Sequence, residues 1–174
     1  MDFKIRIATI NDIDTIWNLL EKGIEKRKEE GSNQWQDGYP NRDVVVNDIN
    51  NEYGLMVENE SNEIVGYLAM IADIEPAYEE IKGEWLSPKG EKYVVFHRLI
   101  VDQNNPIKGL ATWILKEVEQ LVFNKGIKSI KVDTNFDNVG MLRVFEKLGY
   151  QQCGKVYFRG SERLAFEKIL QKEK

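Results

Sequence analysis

The feature that most constrains the fold is an apolar run followed by a glycine-bearing turn and an amphipathic segment. The run Tyr93–Val101 is too uniformly apolar to leave one face in water, which predicts a central strand covered on both sides. From Gly109 to Val122, apolar residues recur at helical spacing. A strand and turn that lead into a helix N-terminus present unpaired backbone N–H groups to an anion, and the helix dipole adds to their field. The pattern therefore predicts a site for a phosphate-bearing cofactor.

The amino-terminal part of the chain predicts a strand, two helices and a hairpin. Apolar residues alternate over residues 3–7, which is typical of a strand with one buried face. Helical spacing follows from Ile13 until charged residues and Gly31 end it, and a short helix is predicted over residues 42–51. Two strands joined at Asn59–Asn62 complete this part.

The carboxy-terminal part predicts a strand at 128–133, a helix from Asn138 to Gly149, and strands at 150–158 and 163–169. The last two strands turn at Arg159–Glu162. The element order favours an α/β fold in which helices cover a mixed sheet. The helix after Gly109 makes a crossover, so the strands on either side of it should be parallel, with a binding crevice at their carboxyl ends.

Composition and charge exclude several classes of protein. A chain of 174 residues predicts one domain over 1–174, which buries about 70% of the surface of its unfolded form. The single cysteine, Cys153, cannot form an internal disulfide, and no leader pattern precedes the first strand, which favours the cytoplasm. No apolar run reaches the about 18 residues of a membrane span, and a net charge of −5 argues against nucleic acid. One histidine and one cysteine do not make a metal site.

Three motifs resemble the GNAT superfamily of acyl-CoA-dependent N-acetyltransferases, and the likeness covers nearly the whole chain. The family's pyrophosphate loop falls on Pro106–Ala111, where Gly109 and Ala111 match and Pro106 replaces the usual glutamine or arginine. Asn138 opens the next helix, and VFEKLGY at 144–150 resembles the phrase that closes it. The resemblance implies a mixed, mostly antiparallel sheet of about seven strands, with a splayed parallel pair and helices on both faces.

The resemblance also implies acetyl-CoA as the cofactor. Backbone groups of Leu99, Ile100 and Val101 should pair with the pantetheine arm, and one N–H there should polarise the thioester carbonyl. The cofactor contacts implied after that strand are Ile107, Lys108, Gly109, Leu110, Ala111, Thr112, Asn138, Met141 and Phe145.

Catalysis requires a base, because the acceptor amine must lose a proton before it attacks. His97, the only histidine, lies on the strand before the loop, and an imidazole with a pKa of about 6.5 suits this role. The alternative is a core histidine bonded to the backbone, and Glu84 and Asp133 are weaker candidates. Many relatives place a proton-donating tyrosine at the position of Phe145. Other hydroxyls that could serve are Thr134, Tyr150 and Tyr157.

Acceptor recognition is predicted in an aromatic loop that resembles the WQ…GYP loop of a bacterial branch of the superfamily. The residues predicted to bind the acceptor are Trp35, Tyr39, Trp85, Asp133 and Asn135, with Tyr78 nearby in the chain. Aromatic walls can stack on an apolar or cationic acceptor. The alternative is that the rings plug the sheet edge and that the polar residues only cap the next helix.

Three functions are compatible with the sequence. The first is an N-acetyltransferase that passes the acetyl group of acetyl-CoA to a primary amine of a small molecule or peptide, by direct attack in a ternary complex. The second is a non-catalytic acyl-CoA-binding or sensing module, favoured by the residues at Pro106 and Phe145. The third is a nucleotide-binding module, for which one glycine is a weak signal. A homodimer is compatible with each, and no nucleic-acid or membrane partner is expected.

Overall fold

Eight strands and five α-helices follow one another along residues 2–172, the part of the chain that the computed structural model describes. The strands are β1 (Lys4–Ile7), β2 (Gly54–Glu58), β3 (Ile64–Ile71), β4 (Lys82–Gly83), β5 (Val94–Val101), β6 (Ser129–Thr134), β7 (Gln151–Phe158) and β8 (Ser161–Ile169). The helices are α1 (Ile13–Glu29), α2 (Arg42–Asn50), α3 (Pro76–Glu79), α4 (Leu110–Asn124) and α5 (Val139–Leu148). None of these helices is long and apolar enough to cross a bilayer.

The chain divides into two units. The first comprises the chain up to Met70 together with His97–Ala111, and the second comprises Ile71–Phe96 together with the chain from Thr112 onward. Strand β5 contributes its first residues to the second unit and its last residues to the first. The strand order is β1-β2-β3-β5 in the first unit and β5-β6-β8-β7-β4 in the second.

The first unit confirms the predicted strand, hairpin and helices. Strands β1, β2 and β3 are antiparallel, with Ile5 opposite Val57 and Val57 opposite Gly66. The side chain of Asn41 caps α2 by accepting from the Val44 N–H at 3.0 Å. These elements were predictable because their apolar residues recur at the periods of a strand and of a helix.

The core of the first unit forms where α1 packs against the strands. Its buried residues are Ala8, Ile16, Leu19, Leu20, Val45, Met56, Tyr67 and Ile100. Gly23 of α1 is needed here, because a Cβ at that position would lie 2.5 Å from the Ile100 Cδ1 atom. The helix therefore approaches β5 closely and fixes the end of that strand.

The second unit confirms the parallel pair. Val94 and Val95 of β5 pair in parallel with Ile130 and Lys131 of β6, and β8 is antiparallel to both β6 and β7. The turn predicted at Arg159–Glu162 is wrong by two residues, since β8 already begins at Ser161. Arg159 and Gly160 have φ values of 49° and 75°, a pair of left-handed residues that makes a two-residue hairpin turn.

Two elements of the second unit were not predicted. The segment between β3 and β5 was expected to be an ordered loop, but it contains α3 and the short strand β4. β4 pairs with β7 through Gly83 and Gly154, where a Cβ on either glycine would lie 2.2 Å from a backbone oxygen of the facing strand. β4 is thus the strand that raises the count from the expected seven to eight. A core of Tyr78, Tyr93, Val95, Val156 and Ala165 lies against this segment.

Candidate active site

The carboxyl half of β5 contains a left-handed residue. Arg98 has φ 57° in the middle of the strand, a conformation that a residue with a long side chain adopts only when its surroundings hold it. The extended run is interrupted there, which redirects the backbone N–H and C=O groups that follow. These are the groups of Leu99–Val101 that were predicted to pair with an acyl-CoA arm.

A buried ion pair holds Arg98 in place. Its guanidinium donates two hydrogen bonds to the Asp48 carboxylate of α2, at 2.8 Å and 2.5 Å. The two side chains are 6% and 0% exposed. Asp48 also accepts from the Tyr67 hydroxyl at 2.6 Å, while Arg98 donates to the Tyr39 hydroxyl. Burial and the neighbouring Asp48 charge raise the pKa of Tyr67, so its hydroxyl keeps its proton.

The three predicted backbone contacts lie in different surroundings. The Ile100 side chain is 3% exposed and belongs to the core, whereas Leu99 and Val101 are half-buried. The Val101 carbonyl accepts from the Gln103 side-chain amide at 2.7 Å. The Asp102 N–H donates to the Val65 carbonyl at 2.9 Å, which fixes the end of the strand. Gln103 was not singled out in the sequence, although a side-chain amide just after a strand is a common cap for its last carbonyl.

The predicted phosphate loop is a turn that starts α4. Gly109 has φ 79°, in the left-handed region that favours glycine, and nothing lies within 4 Å of where its Cβ would be. The Leu110 N–H donates to the Ile107 carbonyl at 3.2 Å as the helix begins. Lys108 and Gly109 are exposed, and Ala111 and Thr112 are half-buried. The first N–H groups of a 15-residue helix thus follow directly on an open glycine turn.

The two predicted acceptor residues of the first unit, Trp35 and Tyr39, contact its core and the Arg98 side chain. Trp35, at φ 62°, packs against the core beside Gly23. The Tyr39 ring lies 6.0 Å from the Arg98 guanidinium carbon, and the bond from Tyr39 to Pro40 is cis. The WQ…GYP loop is therefore joined to β5 through the Arg98 cluster.

The predicted acceptor residues of the second unit come together around Tyr78. The Tyr78 hydroxyl donates to the Asp133 carboxylate at 2.5 Å, and the Trp85 indole N–H donates to the Tyr78 carbonyl at 2.8 Å. The Tyr78 and Trp85 rings are 5.4 Å apart. Asn135 is buried and has protein partners, since it accepts from Arg163 at 3.3 Å and donates to Asp137 at 2.5 Å.

Helix α5 bears out the predicted cap and stop. Asn138 accepts from the Met141 N–H at 3.2 Å, and Gly149, at φ 85°, ends the helix. Phe145 is 2% exposed, and its ring packs against Tyr150 and Phe166 at centroid distances of 5.4 Å and 5.1 Å. Its place in the aromatic core accounts for an apolar residue there.

The candidate hydroxyls differ in availability. Tyr150 donates to Glu119 at 3.0 Å and is buried, which raises the pKa of its hydroxyl well above the ordinary value. Tyr157 is exposed and donates to Glu162 at 3.2 Å. The Thr134 hydroxyl, at the end of β6, is the one enclosed side-chain polar atom of residues 2–172 without a hydrogen-bond partner. Most buried hydroxyls in proteins have a partner, either a protein group or an ordered water, so this one is an exception.

The candidate bases occupy different places. His97 is half-buried on β5, directly before Arg98. Glu84 is exposed beside β4, and its N–H donates to the Cys153 carbonyl at 3.0 Å. Burial raises the pKa of the Cys153 thiol, which is the opposite of what a nucleophile requires. Among residues 2–172, no three His, Cys, Asp or Glu side chains are grouped as metal ligands would be.

Three charged residues that no sequence pattern singled out are prominent in the structure. Arg98 and Asp48 form the ion pair behind β5, and Lys131 of β6 is 4% exposed between aromatic rings. For Arg98 the available signal was a charged residue inside an apolar run, because such a residue must find a partner when it is buried.

A family model of known proteins matches the part of the chain that contains these elements. The family model described as "Acetyltransferase (GNAT) family" matches residues 17–150, a stretch that includes β5, the loop, α4, β6 and α5. The chain belongs to the GNAT acetyltransferase family. It is accordingly an N-acetyltransferase, and the predicted enzyme class is confirmed.

Solved structures of GNAT-family acetyltransferases are similar to this chain over nearly its whole length. A GNAT-family acetyltransferase from Streptococcus agalactiae is 36% identical with a TM-score of 0.87, over 98% of this chain and 96% of that one. A Staphylococcus aureus Mu50 protein described as a putative acetyltransferase is 27% identical with a TM-score of 0.72, over 96% and 99%. A GNAT-family acetyltransferase from Listeria monocytogenes shares the fold at 20% identity and a TM-score of 0.78, over 97% and 95%. Among curated proteins, no match was found.

Proposed function

We propose that this GNAT enzyme transfers the acetyl group of acetyl-CoA to a primary amine of a small molecule or peptide, by direct attack in a ternary complex. The observation that carries the proposal is the turn at Gly109, which opens α4 inside the segment that matches the family. A solved structure with the same fold, the NatC complex bound to Gag peptide and CoA, is 12% identical with a TM-score of 0.70.

The loop supplies an anion site made of backbone. Left-handed Gly109 lets the chain turn into α4 without a side chain over the turn, so the N–H groups of Lys108 to Thr112 are proposed to hold the diphosphate. Pro106 contributes no N–H and no polar side chain, which leaves this contact to the backbone and to the exposed Lys108.

The acyl group is proposed to lie along the end of β5. The amine nitrogen attacks the thioester carbonyl carbon, the new C–N bond forms, and the C–S bond breaks to release the CoA thiolate. A backbone N–H among Leu99–Val101 would stabilise the negative charge on the carbonyl oxygen, a contribution of about 3–4 kcal/mol.

His97 is proposed as the base that takes the proton of the amine. It is half-buried and directly precedes Arg98, whose ion pair with Asp48 fixes this stretch of β5.

The remaining predicted site residues are proposed to bind the acceptor or the cofactor. The proposed acceptor contacts are Trp35, Tyr39, Trp85, Asp133 and Asn135. The further proposed cofactor contacts are Asn138, Met141 and Phe145. We propose that residues 1–174 form one domain, which is supported by a family match that includes parts of both units. We also propose that the protein is cytoplasmic, in keeping with its single cysteine.

Calorimetry with acetyl-CoA tests the binding site. The variant Gly109→Val places a branched side chain at φ 79°, and Gly126→Val does the same at φ 81° beyond the far end of α4. Neither new Cβ would meet an atom within 4 Å, so the two variants carry matched backbone strain. We expect Gly109→Val alone to weaken acetyl-CoA binding, by about tenfold or more. Equal affinities of the two variants, or no affinity in the parent protein, would contradict the proposal.

Release of CoA in the presence of a panel of primary amines tests the catalytic part. His97→Asn keeps a polar side chain but removes the titrating nitrogen, and we expect kcat to fall by about a hundredfold or more while acetyl-CoA still binds. A non-catalytic module would instead bind acetyl-CoA and release no CoA with any amine. An unchanged kcat in His97→Asn would remove His97 from the mechanism without affecting the binding proposal.

A further inference from the structure

Lys131 of β6 is a buried cation in an aromatic cage. The residue is 4% exposed, and its ammonium lies 4.0 Å from the centroid of the Tyr93 ring and 4.6 Å from that of the Trp85 ring. Tyr93 is 7% exposed, while Trp85 is half-buried and so has surface left for a ligand. Rings attract a cation through their faces, but they neither neutralise its charge nor accept its hydrogen bonds as a carboxylate does.

No carboxylate of residues 2–172 pairs with this ammonium at salt-bridge distance. Glu167 is the strongest negative neighbour, yet its oxygens are already occupied. They accept from the backbone N–H groups of Leu86 and Ser87 and from the hydroxyls of Ser87 and Ser129, at 2.5–3.1 Å. Burial therefore lowers the pKa of Lys131, despite the partial compensation from Glu167.

The Lys131 ammonium is nevertheless not wholly enclosed by protein. The Thr134 hydroxyl is the one fully enclosed side-chain polar atom of the described chain that lacks a hydrogen-bond partner. The Lys131 ammonium also has no such partner but is not among the fully enclosed atoms, so part of its surface stays exposed. An anion bound there would supply the counter-charge that this cation lacks.

A charge of the opposite sign lies two residues further along the same strand. Asp133 and Lys131 point to one face of β6, with Cα atoms about 7 Å apart. Both belong to one group of contacts, because Asp133 accepts from Tyr78, whose ring packs on Trp85. A positive and a negative group at this spacing, beside aromatic surface, match the ammonium and carboxylate of an amino acid.

We propose that the Lys131 ammonium binds the carboxylate of the acceptor, so that the amine acetylated by this enzyme belongs to a free amino acid. The inference rests on the proposed acetyl transfer and narrows its acceptor class. Asp133 lies on the side of the amine, and Trp85 packs against the acceptor's side chain. The competing role for Lys131 is a purely structural contact with the two rings, which predicts no preference for a carboxylate.

Matched pairs of amines test the acceptor class. The pairs are L-phenylalanine with phenethylamine, L-lysine with cadaverine, and L-arginine with agmatine, each differing by the carboxylate. We expect kcat/KM in the parent enzyme to favour the amino acid of at least one pair by about tenfold to a hundredfold, the worth of a buried charge-assisted bond. Lys131→Met should abolish this preference, and Lys131→Arg should restore most of it. Lys82→Met, which also removes a lysine from over a ring, is the control and should keep the preference.

A binding measurement decides the matter even where no panel amine is acetylated. The side-chain carbon next to the Lys131 nitrogen is followed by NMR while phenylacetate is added, with Lys131→Arg identifying the signal. We expect a saturable shift that phenethylamine does not produce. Absence of the shift, or a parent enzyme that prefers the decarboxylated amines, overturns the inference. Loss of acetyl-CoA binding alone would instead count against the proposed function, since the phenylacetate titration does not require the cofactor.

Discussion

The two units each bury a cation, and they treat it in opposite ways. Arg98 in the first unit is held by the Asp48 carboxylate and by the Tyr39 hydroxyl. Lys131 in the second unit lies against the rings of Tyr93 and Trp85, and no carboxylate of residues 2–172 is at salt-bridge distance from it. Both residues lie on central strands, so depth of burial alone does not explain the difference.

A buried charge that already has a counter-charge serves the structure, whereas a buried charge without one is available to a ligand. The Arg98 cluster satisfies its own charges, and it fixes a left-handed residue in β5 just before the backbone groups proposed to meet the thioester. A satisfied pair adds specificity to the fold and has no capacity left for a substrate. Lys131 retains that capacity, which is why we assign it to acceptor recognition.

The largest effect is expected when the complete pair is broken. Asp48→Asn leaves the buried Arg98 guanidinium without its counter-charge, and we expect the free energy of unfolding to fall by about 3–5 kcal/mol. Urea denaturation measures it. Asp14→Asn is the control, because its pair with Arg42 is exposed, with side chains 88% and 50% accessible, and should cost less than about 1 kcal/mol. Similar costs for the two variants would show that the buried pair carries no special weight.

The next effect concerns the carboxylate that Lys131 does not pair with. Glu167→Gln retains an oxygen for the backbone N–H groups but loses the charge that strengthens four hydrogen bonds, and we expect a loss of about 1–3 kcal/mol in urea denaturation. Since Glu167 raises the pKa of Lys131, its removal should lower that pKa further, which NMR titration of the lysine can detect. An unchanged Lys131 pKa would mean that the two groups are not coupled.

The sequence predicted what depends on local periodicity and missed what depends on distant partners. The elements around β5 and α4, and the glycine that turns between them, follow from spacing and backbone preference within a few residues. Asp48 and Arg98 are 50 residues apart, and no pattern in either segment names the other. The cage around Lys131 was hidden in the same way, because Trp85 and Tyr93 lie on a different part of the chain from β6.

The resemblance to a family predicted some features that the residue patterns alone did not, but not all of them. It anticipated the cap at Asn138 and the stop at Gly149, both of which belong to the motifs that carried the resemblance. It did not anticipate the hydrogen bond from Gln103 to the Val101 carbonyl, or that the Thr134 hydroxyl lacks a partner, since both depend on how individual side chains pack. The short strand β4 escaped prediction because only two residues form it, and one is a glycine.

Lys131→Met should have a small effect on stability that depends on pH. A hydrophobic side chain of similar length suits the cage, so at neutral pH we expect equal or slightly higher stability, in contrast to Asp48→Asn. Burial lowers the folded-state pKa of Lys131 below the unfolded value of 10.5, and the unfolded chain therefore holds more protons between those two values. The stability of the parent protein should thus rise relative to Lys131→Met as the pH approaches 10.5. Thermal unfolding of both proteins across this range measures it, and a difference that does not vary with pH would contradict the lowered pKa.

The smallest effect is expected where the same contact lies in water. Lys82 places its ammonium 5.1 Å from the centroid of the Tyr157 ring, and both residues are exposed. Lys82→Met removes the same unit of charge as Lys131→Met but relieves no burial, so the free energy of unfolding should change by less than about 0.5 kcal/mol. If Lys82→Met altered acceptor preference as strongly as Lys131→Met, the preference would come from the overall charge of the protein. The burial of Lys131 without a counter-charge would then not explain the preference.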